Sequence, residues 1–283
     1  MKAKKNGGWS SRFGFIASTA GAAIGLGNIQ RFPYMVAENG GGAFALIYIL
    51  AIMILALPLM LSELAIGANT KASAALSLQK LSSNRLWWWA GLLPLLTSFC
   101  ICVYYTVLTG WTLGFGVLCC YKPSCSFAAV TSQSYLFAIT LPVITWLATG
   151  FIVAKGVRSG IETLSSFLMP ILLVLIIFLM FYSLGLSGAK KGLFYYLYPN
   201  WEHITPRVIL NAIGQAFFSL CVGEAVLITY GSYITDKKTI FPSARIIVLC
   251  DTAVAFTSGL IIFPILFTNN TDLHFSTSKT GIP

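Results

Sequence analysis

Charge is what this 283-residue chain lacks most. Asp, Glu, Lys and Arg make up 9% of it, while 57% is hydrophobic. Soluble domains carry roughly 25% charged residues, so this composition excludes an ordinary soluble fold. Histidine is scarcer still, at His203 and His274, which excludes a zinc site or a histidine-based hydrolase. There is no Walker phosphate loop and no Gly-x-Ser-x-Gly elbow, so an enzyme is not expected. Cysteine is present but scattered, with Cys100, Cys102, Cys221 and Cys250 in apolar surroundings where they act as small apolar residues. Cys120 and Cys125 flank a short loop. Paired or reduced, they leave the fold class unchanged.

What is present are long runs without charge: 13–30, 39–62, 86–121, 123–154, 163–189 and 252–271. Each is close to or above the ~20 residues that cross a hydrocarbon core. Residues 208–235 make a seventh candidate, interrupted only by Glu224. The expected class is an all-α polytopic membrane protein, with spans near 11–36, 43–66, 87–119, 135–154, 162–186, 206–234 and 243–268. Gly25, Asn28, Arg31 and Pro33 in the first span are wrong for a cleaved signal peptide. The polar stretch from Ala68 to Leu86 is expected to lie on the cytoplasmic surface, and Trp87-Trp88-Trp89 at the membrane interface.

The net charge of +10 needs no nucleic-acid partner. Lys2, Lys4, Lys5 and Arg12 precede the first span, and Lys71, Lys80, Arg85, Lys155, Arg158, Lys237, Lys238 and Arg245 fall in even-numbered loops. An inside N-terminus puts twelve of the eighteen basic residues on the cytoplasmic side, as the positive-inside rule expects. Lys190, Lys191 and Arg207 weaken this bias without reversing it.

Two spans look built to break. Residues 21–28 read Gly-Ala-Ala-Ile-Gly-Leu-Gly-Asn in mid-span, and Val222-Gly223-Glu224-Ala225 does the same in the sixth. Non-helical backbone at membrane depth survives only where protein or a polar cavity satisfies it. The first stretch on its own also fits a small-residue packing stripe through Gly21-x-x-x-Gly25. Interruptions at corresponding places five helices apart point to an inverted-repeat transporter with its site between the breaks.

The segment Trp9 to Phe32, with Pro33, Glu38-Asn39-Gly40-Gly41-Gly42-Ala43-Phe44 and Pro58-Leu59, resembles the opening of the neurotransmitter:sodium symporter family. Tyr104-Tyr105, Trp111 to Phe115, Gly214 to Ser219 and Thr229 to Tyr233 extend the resemblance, which runs from Trp9 to about Phe267. The resemblance implies a leucine-transporter-type fold, a bacterial inner-membrane location and sodium-coupled import of an α-amino acid. It implies a single transporter domain over 1–283, with residues 1–186 forming the first five-helix repeat and 206–268 the sixth and seventh helices.

Residue by residue, the resemblance implies that Ala23, Asn28, Ser219 and Asp251 ligate a first sodium ion. Gly21 and Ile24 would offer carbonyls to a second, two ions being expected in a full-length protein. The amides of Leu26 and Gly27, with the Tyr105 hydroxyl, would hold the substrate carboxylate. Ala22, Ile101, Phe218, Cys221 and Glu224 would border its side chain, with Arg31 and Phe218 as outer gate. Taken alone, Asn28 and Tyr105 also suit interhelical hydrogen bonding and packing, Ser219 can back-bond to its own helix, and Arg31 can snorkel. Glu63 is expected to brace the broken backbone by accepting N–H groups, and Glu224 either shapes the pocket or meets a polar substrate group.

Two positions refine the implied chemistry. Amine-transporting members carry an aspartate where this chain has Gly25, so an α-carboxylate has room. Chloride-dependent members carry a serine where it has Ala255, and Asp251 offers a fixed negative charge instead, so chloride is not expected to be required. The family's cytoplasmic-latch arginine falls at Asn6, with Lys4 or Lys5 as possible substitutes. The chain ends at Pro283 after seven spans, where the family has about twelve; a piece of a longer protein is expected. A seven-span receptor-like scaffold and a non-functional remnant are the competing readings, and the two broken helices argue against a receptor. The oligomeric state is left open.

Overall fold

The computed structural model describes residues 8–82, 84, 86–122, 127 and 135–269. The expectations placed on Asn6, Lys4, Lys5, Cys125 and His274 lie outside these residues. Among the described residues the regular structure is helical, with one isolated bridge pairing Gly41 and Pro199.

Helix α1 (Arg12–Ala23) starts where the Ser11 side chain accepts the Gly14 N–H at 2.9 Å, a normal N-cap. It stops at Ile24, which turns extended (φ −79°, ψ 109°) while its N–H still bonds Ala20 O at 2.7 Å. The sequence suggested a break over 22–27; the structure confines it to Ile24 and Gly25. Ala22 and Ala23 are strong helix formers. The Asn28 side chain accepts the Gly25 N–H at 3.4 Å, so helix resumes within two residues. The chain continues through a π-helical turn (Gly27–Arg31) into α2 (Phe32–Glu38).

Helix α3 (Gly42–Ala51) passes through a wide turn at Ile52–Ala56 into α4 (Leu57–Thr70), together 29 residues. The polar stretch beyond it forms α5 (Ala74–Leu81), followed by α6 (Leu86–Tyr121) and α7 (Tyr135–Ala154). Then come α8 (Thr163–Leu184), α9 (Ala189–Leu197), α10 (Pro206–Ser219), α11 (Val226–Ser232) and α12 (Ile240–Thr268). Four described helices are long and apolar enough to cross a membrane: 42–70, 86–121, 157–184 and 237–268. The first and sixth expected spans fall short because each is split, and 138–154 of α7 is a shorter apolar helix. The chain is an integral membrane protein.

The second break is the more contorted. Cys221, Gly223 and Ala225 all take left-handed φ values of 53°, 82° and 61° between α10 and α11. Two of the three carry a Cβ, which that region disfavours. Such strain persists only where neighbours over-determine the backbone. One such neighbour is α4, which packs closely on α11: a Cβ on Gly67 would meet Ile228 O at 2.0 Å, and one on Gly231 would meet Leu64 O at 2.4 Å.

The chain divides into two compact units. The first joins residues up to Leu95 with those from Glu162, around a core that includes Phe32, Phe44, Tyr48, Met60, Leu220, Ile247 and Phe263. The second holds Leu96–Ile161, where α6 and α7 pack as a hairpin. There the Trp111 indole donates to Ala138 O at 3.0 Å, and Gly110 lies against the Pro142 backbone.

Candidate functional site

Within the first unit the two breaks lie side by side. The Cys221 thiol reaches Ala22 O at 3.4 Å, and the Gln215 amide donates to Gly27 O at 3.1 Å. Asn28 on the resumed first helix, Ser219 at the end of α10 and Asp251 in the middle of α12 converge there, all essentially inaccessible. The Asn28 amide donates to Asp251 Oδ1 at 2.7 Å, to Asp251 O at 3.2 Å and to Ser219 Oγ at 3.1 Å. Ser219 Oγ donates to Asp251 Oδ2 at 2.7 Å. A buried carboxylate is tolerable only when met by such donors.

Two further groups complete this hub. The Tyr48 hydroxyl from α3 donates to Ser219 Oγ at 3.2 Å, and the Ser258 hydroxyl from α12 donates to Asn28 O at 2.6 Å. Neither stands out in the sequence. Tyr48 sits in an apolar run and meets its partner 171 positions away, which no local pattern reveals.

Beside the hub, Arg31 Nη1 donates to Gln215 Oε1 at 2.5 Å, and its guanidinium lies 4.6 Å from the centre of the Phe218 ring. The two residues expected to form a gate are therefore stacked on one another. Gln215, to which the sequence assigned no role, links this pair to the Gly27 carbonyl. Glu63 accepts the Gly223 N–H at 2.8 Å, bracing the second break as expected. Glu224 is buried and lies within hydrogen-bonding reach of the Cys221 thiol.

The remaining candidates are placed as follows. Ala23 and Ile24 are buried at the first break, Ala22 is exposed with its carbonyl on Cys221, and Leu26 starts the resumed helix. A Cβ on Gly21 would meet Met169 and Ser165, so that residue faces α8. Ile101 and Tyr105 belong to the second unit, where the Tyr105 ring meets Tyr104 edge-on at 5.7 Å.

Chemically, the hub collects a carboxylate, a hydroxyl and a side-chain amide, with unwound carbonyls at the break beside it. Those are the ligands a hard, dehydrated cation needs. The Asn28 amide directs nitrogen at Asp251; turning it half a revolution about χ2 would present oxygen to an ion at the same spot.

A family model described as the sodium:neurotransmitter symporter family matches residues 6–128 and 126–273. The chain belongs to that family. Among its relatives, the uncharacterized sodium-dependent transporter YhdH of Bacillus subtilis is 38% identical over 278 residues, covering 94% of this chain and 61% of that protein. An uncharacterized sodium-dependent transporter of Haemophilus influenzae is 33% identical over 278 residues, covering 92% and 61%. The creatine transporter of Torpedo marmorata is 26% identical over 309 residues, covering 91% and 49%. The solved structure of MhsT in complex with L-phenylalanine superposes with a TM-score of 0.86 at 38% identity, covering 93% of this chain and 62% of that one. This symporter-family chain thus has the leucine-transporter-type architecture, and it spans about three-fifths of the length of the two sodium-dependent transporters and of MhsT.

Proposed function

We propose that the chain carries the ion and substrate half-sites of a sodium-coupled symporter that imports an α-amino acid by alternating access. The observation that carries this is the buried Asn28–Ser219–Asp251 hub where the two breaks abut. Asn28, Ser219, Asp251 and the Ala23 carbonyl hold a first sodium ion, and the substrate carboxylate completes its shell. Gly21 and Ile24 contribute to a second. The Leu26 and Gly27 amides sit at the start of a helical segment, where the backbone favours an anion; the Tyr105 hydroxyl adds a donor. Ala22, Ile101, Phe218, Cys221 and Glu224 border the side chain, and Arg31 with Phe218 closes the outer path.

Sharing a ligand couples the two bindings. Sodium raises substrate affinity by the same factor as substrate raises sodium affinity. Gly25 supports an amino acid over its decarboxylated amine, and Ala255 beside Asp251 supports independence from chloride. The basic-residue distribution supports a cytoplasmic N-terminus in a bacterial plasma membrane.

Equilibrium binding of radiolabelled amino acids to the purified chain, in sodium and in potassium, tests the reading. Sodium-dependent binding displaced by unlabelled amino acid and not by the matching amine is expected. Binding that is indifferent to sodium would overturn it.

A further inference from the structure

A groove of about 750 Å³ lies on the outside of the first unit, between the α3–α4 helix, α12 and the start of α1. Its walls are apolar, with Ile52 and Met53 on one side and Phe241 and Leu249 on the other. Met53, Phe241 and Leu249 are more than half exposed, as side chains against lipid would be. Two arginines, Arg12 and Arg245, also line it. Arg12 opens α1, and Arg245 lies in the second turn of α12, so both are at the end of the bundle that carries the N-terminus.

Among the described residues neither guanidinium pairs with a carboxylate: Arg12 Nε donates to Ser243 Oγ at 3.2 Å, and the Arg245 guanidinium lies 5.7 Å from the centre of the Phe241 ring. A pair of forked cations above an apolar cleft matches a phosphodiester above acyl chains. A zwitterionic lipid brings the same phosphodiester with a cation of its own beside it, so two guanidiniums favour a headgroup of net negative charge. A soluble phosphate would meet the arginines and leave the cleft unfilled.

We propose that this groove seats one anionic diacyl phospholipid, its phosphate held between Arg12 and Arg245 and one acyl chain lying along α3–α4 and α12. With the N-terminus cytoplasmic, as proposed above, the arginines sit at the leaflet surface where anionic headgroups attract basic side chains. The bound phosphate has a mechanical consequence. Arg12 belongs to the half-helix before the Ile24–Gly25 break, and Arg245 to an unbroken helix. A headgroup held by both reinforces the Arg12–Ser243 tether and opposes any swing of that half-helix.

Native mass spectrometry of the purified chain tests this, with dioleoyl-phosphatidylglycerol and dioleoyl-phosphatidylcholine supplied in equal amounts. One phosphatidylglycerol should be retained in clear preference. R12Q and R245Q should each lower that preference about fivefold, the usual attraction of one basic residue to an anionic surface. M53W, which keeps both arginines and narrows the cleft, should lower phosphatidylglycerol retention as well. Equal retention of the two lipids would overturn the proposal, as would undiminished preference in both arginine variants. Full displacement by soluble glycerol 3-phosphate would mean a free-phosphate site, and retention of a second copy of the chain would mean an interface; either also overturns it. None of these readouts depends on sodium or amino-acid binding.

Discussion

Asp251 is a carboxylate buried on all sides whose oxygens are met by Asn28 and Ser219, with Tyr48 behind Ser219. Asp251→Asn keeps the shape and removes the charge. A hydrogen-bonded charged group is worth about 1.5–3 kcal/mol, so sodium affinity should fall on the order of ten- to a hundredfold. Sodium titration of substrate binding would show it, and an unchanged midpoint would remove Asp251 from the ion site. In the wild type, gluconate in place of chloride should leave binding intact. Glu224 poses a sharper question, because an acid at membrane depth costs about 2.5–3.5 kcal/mol on insertion scales and marks a candidate functional position. If it meets a polar or cationic substrate group, Glu224→Gln should weaken the preferred amino acid by about tenfold while sparing leucine and alanine. An equal loss for all three in competition binding would make Glu224 structural.

At the scale of elements, the sequence announced the two breaks through glycine and a lone carboxylate in otherwise uncharged spans. It overestimated the first, because helix propensity at Ala22–Ala23 and the Asn28 cap restore helix around Ile24 and Gly25 alone. Tyr48, Gln215 and Ser258 stayed hidden for another reason: their partners lie 171, 188 and 230 positions away. Asn28, Ser219 and Asp251 were named only through family resemblance; spacing alone could not have joined three helices. The tight α4–α11 contact makes a separate prediction. Gly67→Val drives a side chain into the Ile228 carbonyl, which as backbone cannot give way. Overpacking of this kind costs about 1–3 kcal/mol, and the unfolding midpoint in detergent should drop by several degrees. Gly116→Ala is the control: its Cβ meets nothing within 4 Å, and in a helix it should hold or raise that midpoint. Equal midpoints for the two variants would argue against a close crossing.

For the molecule as a whole, the placement of charge decides which way the helices run. Lys80 at the end of α5, and Lys237 and Lys238 just before α12, follow even-numbered expected spans. Lys190 and Lys191, in the first turn of α9, follow an odd-numbered one and are exposed. The two groups therefore fall on opposite faces of the membrane whichever way the protein inserts. The positive-inside rule favours the face that collects twelve of the eighteen basic residues as cytoplasmic. Treating intact cells with a membrane-impermeant amine reagent, followed by peptide mass spectrometry, reads the orientation without any substitution. Lys190 and Lys191 should be modified from outside, while Lys80 and Lys238 should react only after permeabilisation. The opposite pattern would invert the chain, turn the Arg31–Phe218 pair toward the cytoplasm, and put the arginine-lined groove in the outer leaflet.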